Sequence, residues 1–150
     1  MRAIKRHLPT ASRLLLGLIF FVNGLNGFLQ FLPQPPMPAA ASAFAGALLG
    51  AGYFFPLLKS VELAAGLLLL TGVAVPFALT LVAPIIVQIA AFHLFLAPGG
   101  MPVVALLLAF ELHLAWVHRA AFAPLFARRA SRAARAPGHD SEAIPRAVAA

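Results

Sequence analysis

The chain has 150 residues, of which 62% are hydrophobic and only 10% are charged, and its mean hydropathy is +0.95. Soluble globular proteins are about 45–50% apolar and about 25% charged, so this chain has too few charges to cover a soluble surface. The absence of cysteine excludes disulfides, thiolate metal sites and dithiol relays. The net charge of +7 lies at the two ends of the chain, which favours a role in membrane topology over nucleic-acid binding.

The N-terminal segment predicts the first membrane span. Residues 1–13 are basic without an acid, and an apolar run follows over residues 14–32. A basic start, an apolar centre and the alanines of residues 39–43 also resemble a signal peptide. We favour a span, because the apolar run exceeds the about 7–15 residues of a signal core.

Residues 33–58 predict a turn and a short helix that does not cross the membrane. Prolines in residues 33–38 favour a stiff extended turn. The apolar stretch that follows is interrupted by glycines and by Pro56, and Tyr53 begins an aromatic cluster typical of a membrane interface. We expect a helix that lies on the outer face of the membrane or re-enters it.

Three further spans are predicted at about residues 59–75, 77–97 and 103–119. The clearest lies between Pro76 and Pro98, where no acid, lysine or arginine occurs. A helix of roughly 20 residues crosses a bilayer core of about 30 Å. The sequence therefore predicts an all-α integral membrane protein, a four-helix bundle with the short helix between spans 1 and 2.

The distribution of lysine and arginine predicts the orientation. Of the eleven such residues, four precede the first span, Lys59 lies between spans, and six follow the fourth. Because positive charge stays on the cytoplasmic side, both termini are expected there, which requires an even number of spans. The predicted domains are a cytoplasmic N-terminus at 1–13, a membrane domain at 14–122 and a disordered basic tail at 123–150.

Polar side chains inside the spans predict a pocket in the outer half of the bundle. Glu111 is the costliest, at about 2.5–3.5 kcal/mol for a charged residue at the bilayer centre. Glu62 begins a stripe of small residues, Ala65 and Gly66, that would let another helix approach closely. Glu111 and Glu62 are the candidate proton-handling residues, and the candidate ligand-binding residues are His93, Asn26, Gln88 and Asn23.

Structural roles compete with this interpretation. The amides fit hydrogen bonds between helices, and Glu62 could pair with Lys59 or reach water. No metal is predicted, because no close-spaced ligand pair anchors a site built from Glu62, His93 and Glu111. A haem is not expected either, since no second histidine matches the depth of His93.

Several segments, in their order and spacing from about Arg13 to Phe126, resemble the DoxX family of small prokaryotic membrane proteins. Each is weakly specific alone. They are residues 13–20, 24–28, 52–54, 61–70, 81–84 and 92–96, Glu111-Leu112 and Ala115-Trp116. The resemblance implies a four-helix protein of the bacterial inner membrane, some of whose relatives are subunits of quinone-linked oxidoreductases.

Three functions follow as expectations. The first is a redox-associated subunit that binds a quinone-like lipophile, has no intrinsic cofactor and receives electrons from a partner protein. The second is a non-catalytic membrane anchor or assembly factor whose tail binds a partner. The third is a small solute carrier. The lipid bilayer, a redox protein and a second copy of the chain are the expected partners.

Overall fold

The structure, a computed structural model, describes residues 2–33 and 36–126, with side chains from residue 7 onward. It is all-helical over these ranges, which confirms the predicted fold class. The helices are α1 (Arg2–Leu29), α2 (Ala39–Gly50), α3 (Phe54–Thr71), α4 (Val75–Phe95), α5 (Met101–Val117) and α6 (Arg119–Phe126), with a 3-10 turn at Pro98–Gly100 before α5.

Four helices are long and apolar enough to cross a membrane: α1 from His7, α3, α4, and α5 together with the turn before it. The chain is therefore a multi-pass membrane protein. The shorter apolar helix α2 stands between the first two spans, as predicted. Residues 123–126, which the sequence assigns to the tail, complete α6, and the rest of the predicted tail lies outside the described residues.

Helices α1 and α3 make the most extensive contact in the bundle, and glycines let their backbones approach closely. A Cβ on Gly24 would lie 2.6 Å from the backbone nitrogen of Leu63, and one on Gly17 would lie 2.9 Å from the Cβ of Leu69. Positions later in α1 meet positions earlier in α3, so the two helices are antiparallel. Small residues allow this approach in a membrane, where dispersion contacts drive helix association.

The stripe predicted on α3 is its buried face, formed by Glu62, Ala65, Gly66 and Leu69. It packs against α1, where Leu16 and Phe20 are fully buried in the same apolar core. The core continues through α4 and α5, which supply most of its remaining buried side chains. Helix α4 runs through Pro84 without a break, as a membrane helix packed among others can.

Arg13 fixes the end of α3. Its guanidinium donates hydrogen bonds to the carbonyl oxygens of Leu69 and, at 3.0 Å, of Leu70. These carbonyls lie in the last turn of α3, which has no helical partner for them and carries the negative end of the helix dipole. The chain then turns at Gly72, whose φ of 78° is the left-handed conformation that glycine adopts most readily.

The opposite end of the bundle carries α2 and the turn between α4 and α5, and we call it the α2 end. Helix α3 begins here at Phe54, earlier than the predicted start at Lys59. Two residues of the predicted interfacial cluster, Phe54 and Phe55, thus form the first turn of a spanning helix. This shift moves Lys59 and Glu62 deeper into the bundle than the sequence suggested.

Candidate functional site

A cavity lies at the α2 end, between the last turns of α1, helix α2 and the first turns of α3. Its volume is about 700 Å³, within the range of about 300–1,000 Å³ typical of small-molecule sites. One part of the wall is polar and the other is apolar. The polar lining residues are Asn23, Asn26, Gln30, Ser42 and Lys59, and the larger apolar ones are Leu32, Pro33, Met37, Leu49 and Phe55.

Lys59 and Glu62 form an ion pair at the α3 wall of this cavity. The Lys59 Nζ lies 2.8 Å from the Glu62 Oε2, and the two side chains are 19% and 5% exposed. Glu62 is eight residues from the start of α3, about 12 Å along the helix axis. A span that began at Lys59, as predicted, would place Glu62 in the first turn of the helix, but the earlier start of α3 places it at the middle of the helix.

The chemistry of the pair follows from its burial. Each charge alone would cost several kcal/mol in a low-dielectric interior, and their contact offsets much of that cost. Glu62 is enclosed, whereas Lys59 also lines the cavity. An ammonium has three N–H donors, so the one directed to Glu62 leaves others for a ligand.

Two predicted ligand-binding amides, Asn23 and Asn26, line the same cavity. The Asn26 Oδ1 accepts a hydrogen bond of 2.7 Å from the backbone N–H of Leu32, which holds the chain where it leaves α1. The Asn23 Nδ2 donates to the carbonyl of Ile19 at 3.0 Å. Neither bond joins two helices, which was the structural role weighed against ligand binding, and both side chains keep N–H donors without a bond to a described residue.

The structure places His93 and Gln88 outside this cavity. The His93 Nδ1 lies 2.9 Å from the carbonyl oxygen of Ala97, and its ring packs on Gly100, where a Cβ would overlap it. His93 therefore stabilises the turn between α4 and α5. Gln88 is exposed and lines a separate groove of about 220 Å³ with Phe44 and Phe92.

Glu111 is buried on α5, with 8% of its surface exposed, and it does not line either cavity. Its Oε2 is enclosed and has no hydrogen-bond partner among the described residues. The two predicted proton-handling acids thus lie in different environments. Glu62 is paired beside the cavity, and Glu111 is unpaired in the bundle interior.

Lys59 is a lining residue that sequence reasoning did not assign to the site. We treated it as the start of a span, as a marker of topology and as a structural partner of Glu62, and the structure confirms that pairing. The spacing of i and i+3 places both side chains on one helical face, but nothing in the sequence indicated that Lys59 also lines a cavity. Among the described residues, no three His, Cys, Asp or Glu side chains cluster as a metal site would require.

Comparisons with known proteins leave the family open. No protein-family profile matches the chain, and neither a curated protein nor a solved structure matches it.

Proposed function

We propose that this protein is a redox-associated membrane subunit that binds a quinone-like lipophile in the cavity at the α2 end. The observation that carries the proposal is the Lys59–Glu62 pair, buried in an apolar helix and placed at the wall of a cavity of ligand size. Two charges at this depth are expensive to insert into a membrane, so such pairs mark functional sites by default.

The lining matches the two parts of such a ligand. A quinone head has carbonyl oxygens, which accept hydrogen bonds, and Lys59 and Asn23 supply N–H donors. The apolar wall, including Met37, Leu49 and Phe55, suits a ring and the start of a hydrocarbon tail. Because Glu62 neutralises Lys59, the site favours a neutral acceptor over a second carboxylate.

Reduction of a quinone takes up two electrons and two protons. In this proposal the ammonium of Lys59 donates a hydrogen bond to one carbonyl oxygen and would supply one of the two protons as electrons arrive. Water entering from the α2 end would supply the second proton and reprotonate Lys59, and Glu62 would remain the counter-charge of the ammonium. The chain has no cysteine to act as a donor, so a partner protein would deliver the electrons.

The orientation belongs to the same proposal. With both termini in the cytoplasm of a bacterium, the α2 end and its cavity would face the outer side of the inner membrane. The resemblance to the DoxX family supports this arrangement and the choice of a quinone, and family membership stays a prediction.

The test is binding of a fluorescent quinone analogue to the full-length protein in lipid nanodiscs. Asn23→Leu removes a lining amide whose only described bond is to its own helix, so the fold should survive. Gln88→Leu is the matched control, because it removes an exposed amide outside the cavity. We expect Asn23→Leu to weaken binding by up to about tenfold, the value of one hydrogen bond, and Gln88→Leu to leave it unchanged.

Extraction of small molecules from the gently purified wild-type protein provides an independent check. A quinone that is retained by the wild type and by Gln88→Leu, and lost in the paired change Lys59→Met with Glu62→Leu, which leaves no lone buried charge, would support the proposal. Absence of both a retained quinone and analogue binding would reject it and favour the non-catalytic anchor.

A further inference from the structure

Glu111 presents a second buried acid that the proposed cavity does not use. It lies on the buried face of α5 with Val104, Leu107 and Leu114. Leu107 is one turn before it and Leu114 one turn after it, and both belong to the apolar core shared with α1 and α4. The carboxyl group therefore sits in an apolar layer of the bundle.

No described cation pairs with Glu111. Lys59 pairs with Glu62, and the Arg13 guanidinium of α1 donates to carbonyls at the end of α3. Arg119 is exposed and lies over the ring of Trp116, 5.1 Å from its centroid. The only ion pair among the described side chains is that of Lys59 and Glu62.

The histidines of the helices around Glu111 are engaged or directed elsewhere. His93 of α4 bonds the carbonyl of Ala97, and the His118 Nδ1 lies 3.0 Å from the carbonyl of Leu114. His7 of α1 is exposed near the start of that helix. His113 is two residues beyond Glu111, about 200° around the helix, and its Nε2 has no described partner either.

These surroundings favour the neutral form of the Glu111 carboxyl group over the ionised form. An ionised carboxylate without a cation or a hydrogen-bond donor is so costly in an apolar medium that the group binds a proton instead. A neutral carboxylic acid loses at most the hydrogen bonds of an uncharged polar group, which costs far less than burial of an unpaired charge. Glu62 in the same bundle can be an ionised carboxylate, because the ammonium of Lys59 lies 2.8 Å away.

We infer that Glu111 is a proton-binding site in the bundle interior, separate from the cavity, which holds one proton as a neutral carboxylic acid near neutral pH. Its ligand is the proton, and its place is the apolar layer between α5 and the helices α1 and α4. The inference does not depend on quinone binding, because Glu111 lines neither cavity.

Infrared spectroscopy of the full-length protein in an ester-free detergent tests this inference, because the ester carbonyls of phospholipids absorb where a protonated carboxyl group does. The chain has only four acids, so the carboxyl region is simple. Asp140→Asn and Glu142→Gln, made together, give a background in which only Glu62 and Glu111 remain. We expect a protonated-carboxyl C=O band in this background near neutral pH, with a shift in heavy water.

Two variants assign the band. Glu111→Gln should remove it, and the paired change Lys59→Met with Glu62→Gln should leave it, since that change removes the other acid without leaving a lone charge. Absence of the band in the background protein, or its persistence in Glu111→Gln, would overturn the inference.

A chemical measurement on the wild type covers the case in which Glu111→Gln does not fold. A hydrophobic carbodiimide reacts with protonated carboxyl groups inside membranes, and peptide mapping locates the adduct. We expect the adduct on Glu111 and none on Glu62, with less adduct as the pH rises. An unmodified Glu111 in folded protein would contradict the inference.

Discussion

The contact of α1 with α3 offers a sharp test of the packing, through the single change Gly66→Ala. The new Cβ would lie 2.7 Å from the Cα of Phe21 and 2.9 Å from the carbonyl oxygen of Gly17. Ordinary contacts of this kind begin at 3.4 Å. Both atoms belong to the α1 backbone, so no side chain can rotate away and the helices must separate.

The magnitude follows from that separation. Moving α1 from α3 by roughly 0.7 Å forfeits about a quarter to a half of the dispersion energy at each contact. Overpacking of this kind typically costs about 1–3 kcal/mol. Alanine has a higher helix propensity than glycine by about 0.5–1 kcal/mol, which offsets part of the cost. We expect Gly66→Ala to lower the free energy of unfolding by about 1–2 kcal/mol.

The assay is reversible unfolding in mixed detergent micelles, followed by circular dichroism at increasing denaturing-detergent fraction. Gly46→Ala in α2 is the matched control, because its Cβ would meet nothing within 4 Å. That variant should be as stable as the wild type or slightly more stable. If Gly66→Ala unfolds at the same detergent fraction as Gly46→Ala, the close α1–α3 approach described above is wrong.

Three further predictions use the same assay. Lys59→Met should lower the free energy of unfolding by about 3–5 kcal/mol, because it leaves Glu62 buried without its partner. The double change Lys59→Met with Glu62→Leu should recover most of that loss. Equal stability of the single and double variants would contradict the pairing. Arg13→Ala should cost about 1.5–3 kcal/mol by removing charged hydrogen bonds to the end of α3, and an unchanged midpoint would argue against the cap. Gly100→Ala should displace the His93 ring from the turn before α5 and lower the stability of the protein. The double change Gly100→Ala with His93→Ala should regain part of the lost stability. If Gly100→Ala leaves the stability unchanged, the ring does not pack on this turn.

The fold was predictable from local pattern because the bilayer imposes strong constraints on each segment alone. A spanning helix must be long and apolar, and the turn at Pro98–Gly100 carries residues that interrupt such a run. The stripe of Glu62, Ala65 and Gly66 likewise showed its buried face through helical spacing. The residue at which a helix starts was harder to predict than its buried face. The apolar residues before Lys59 fit either an interfacial segment or the first turns of α3.

The site depended on how the helices pack. Sequence spacing could place Asn23 and Asn26 on one face of α1. The side chains around Glu111 depend on how each helix is rotated and how deep it lies in the bundle, which no local pattern encodes. The structure separates Glu111 and His93 from the cavity that Asn23 and Asn26 line. A five-residue difference in the start of α3 also turns Lys59 from a topology marker into a lining residue.

The sequence by itself determined a cysteine-free, all-helical membrane protein with four spans and a short helix after the first, because hydropathy and charge act segment by segment. The i, i+3 spacing offered the pairing of Lys59 with Glu62, but only the tertiary structure decided that this pair lies at a cavity wall while Glu111 remains unpaired in the apolar core. The physical reason is that the surroundings of a buried charge include atoms of other helices, which only helix packing brings within a few ångströms of it.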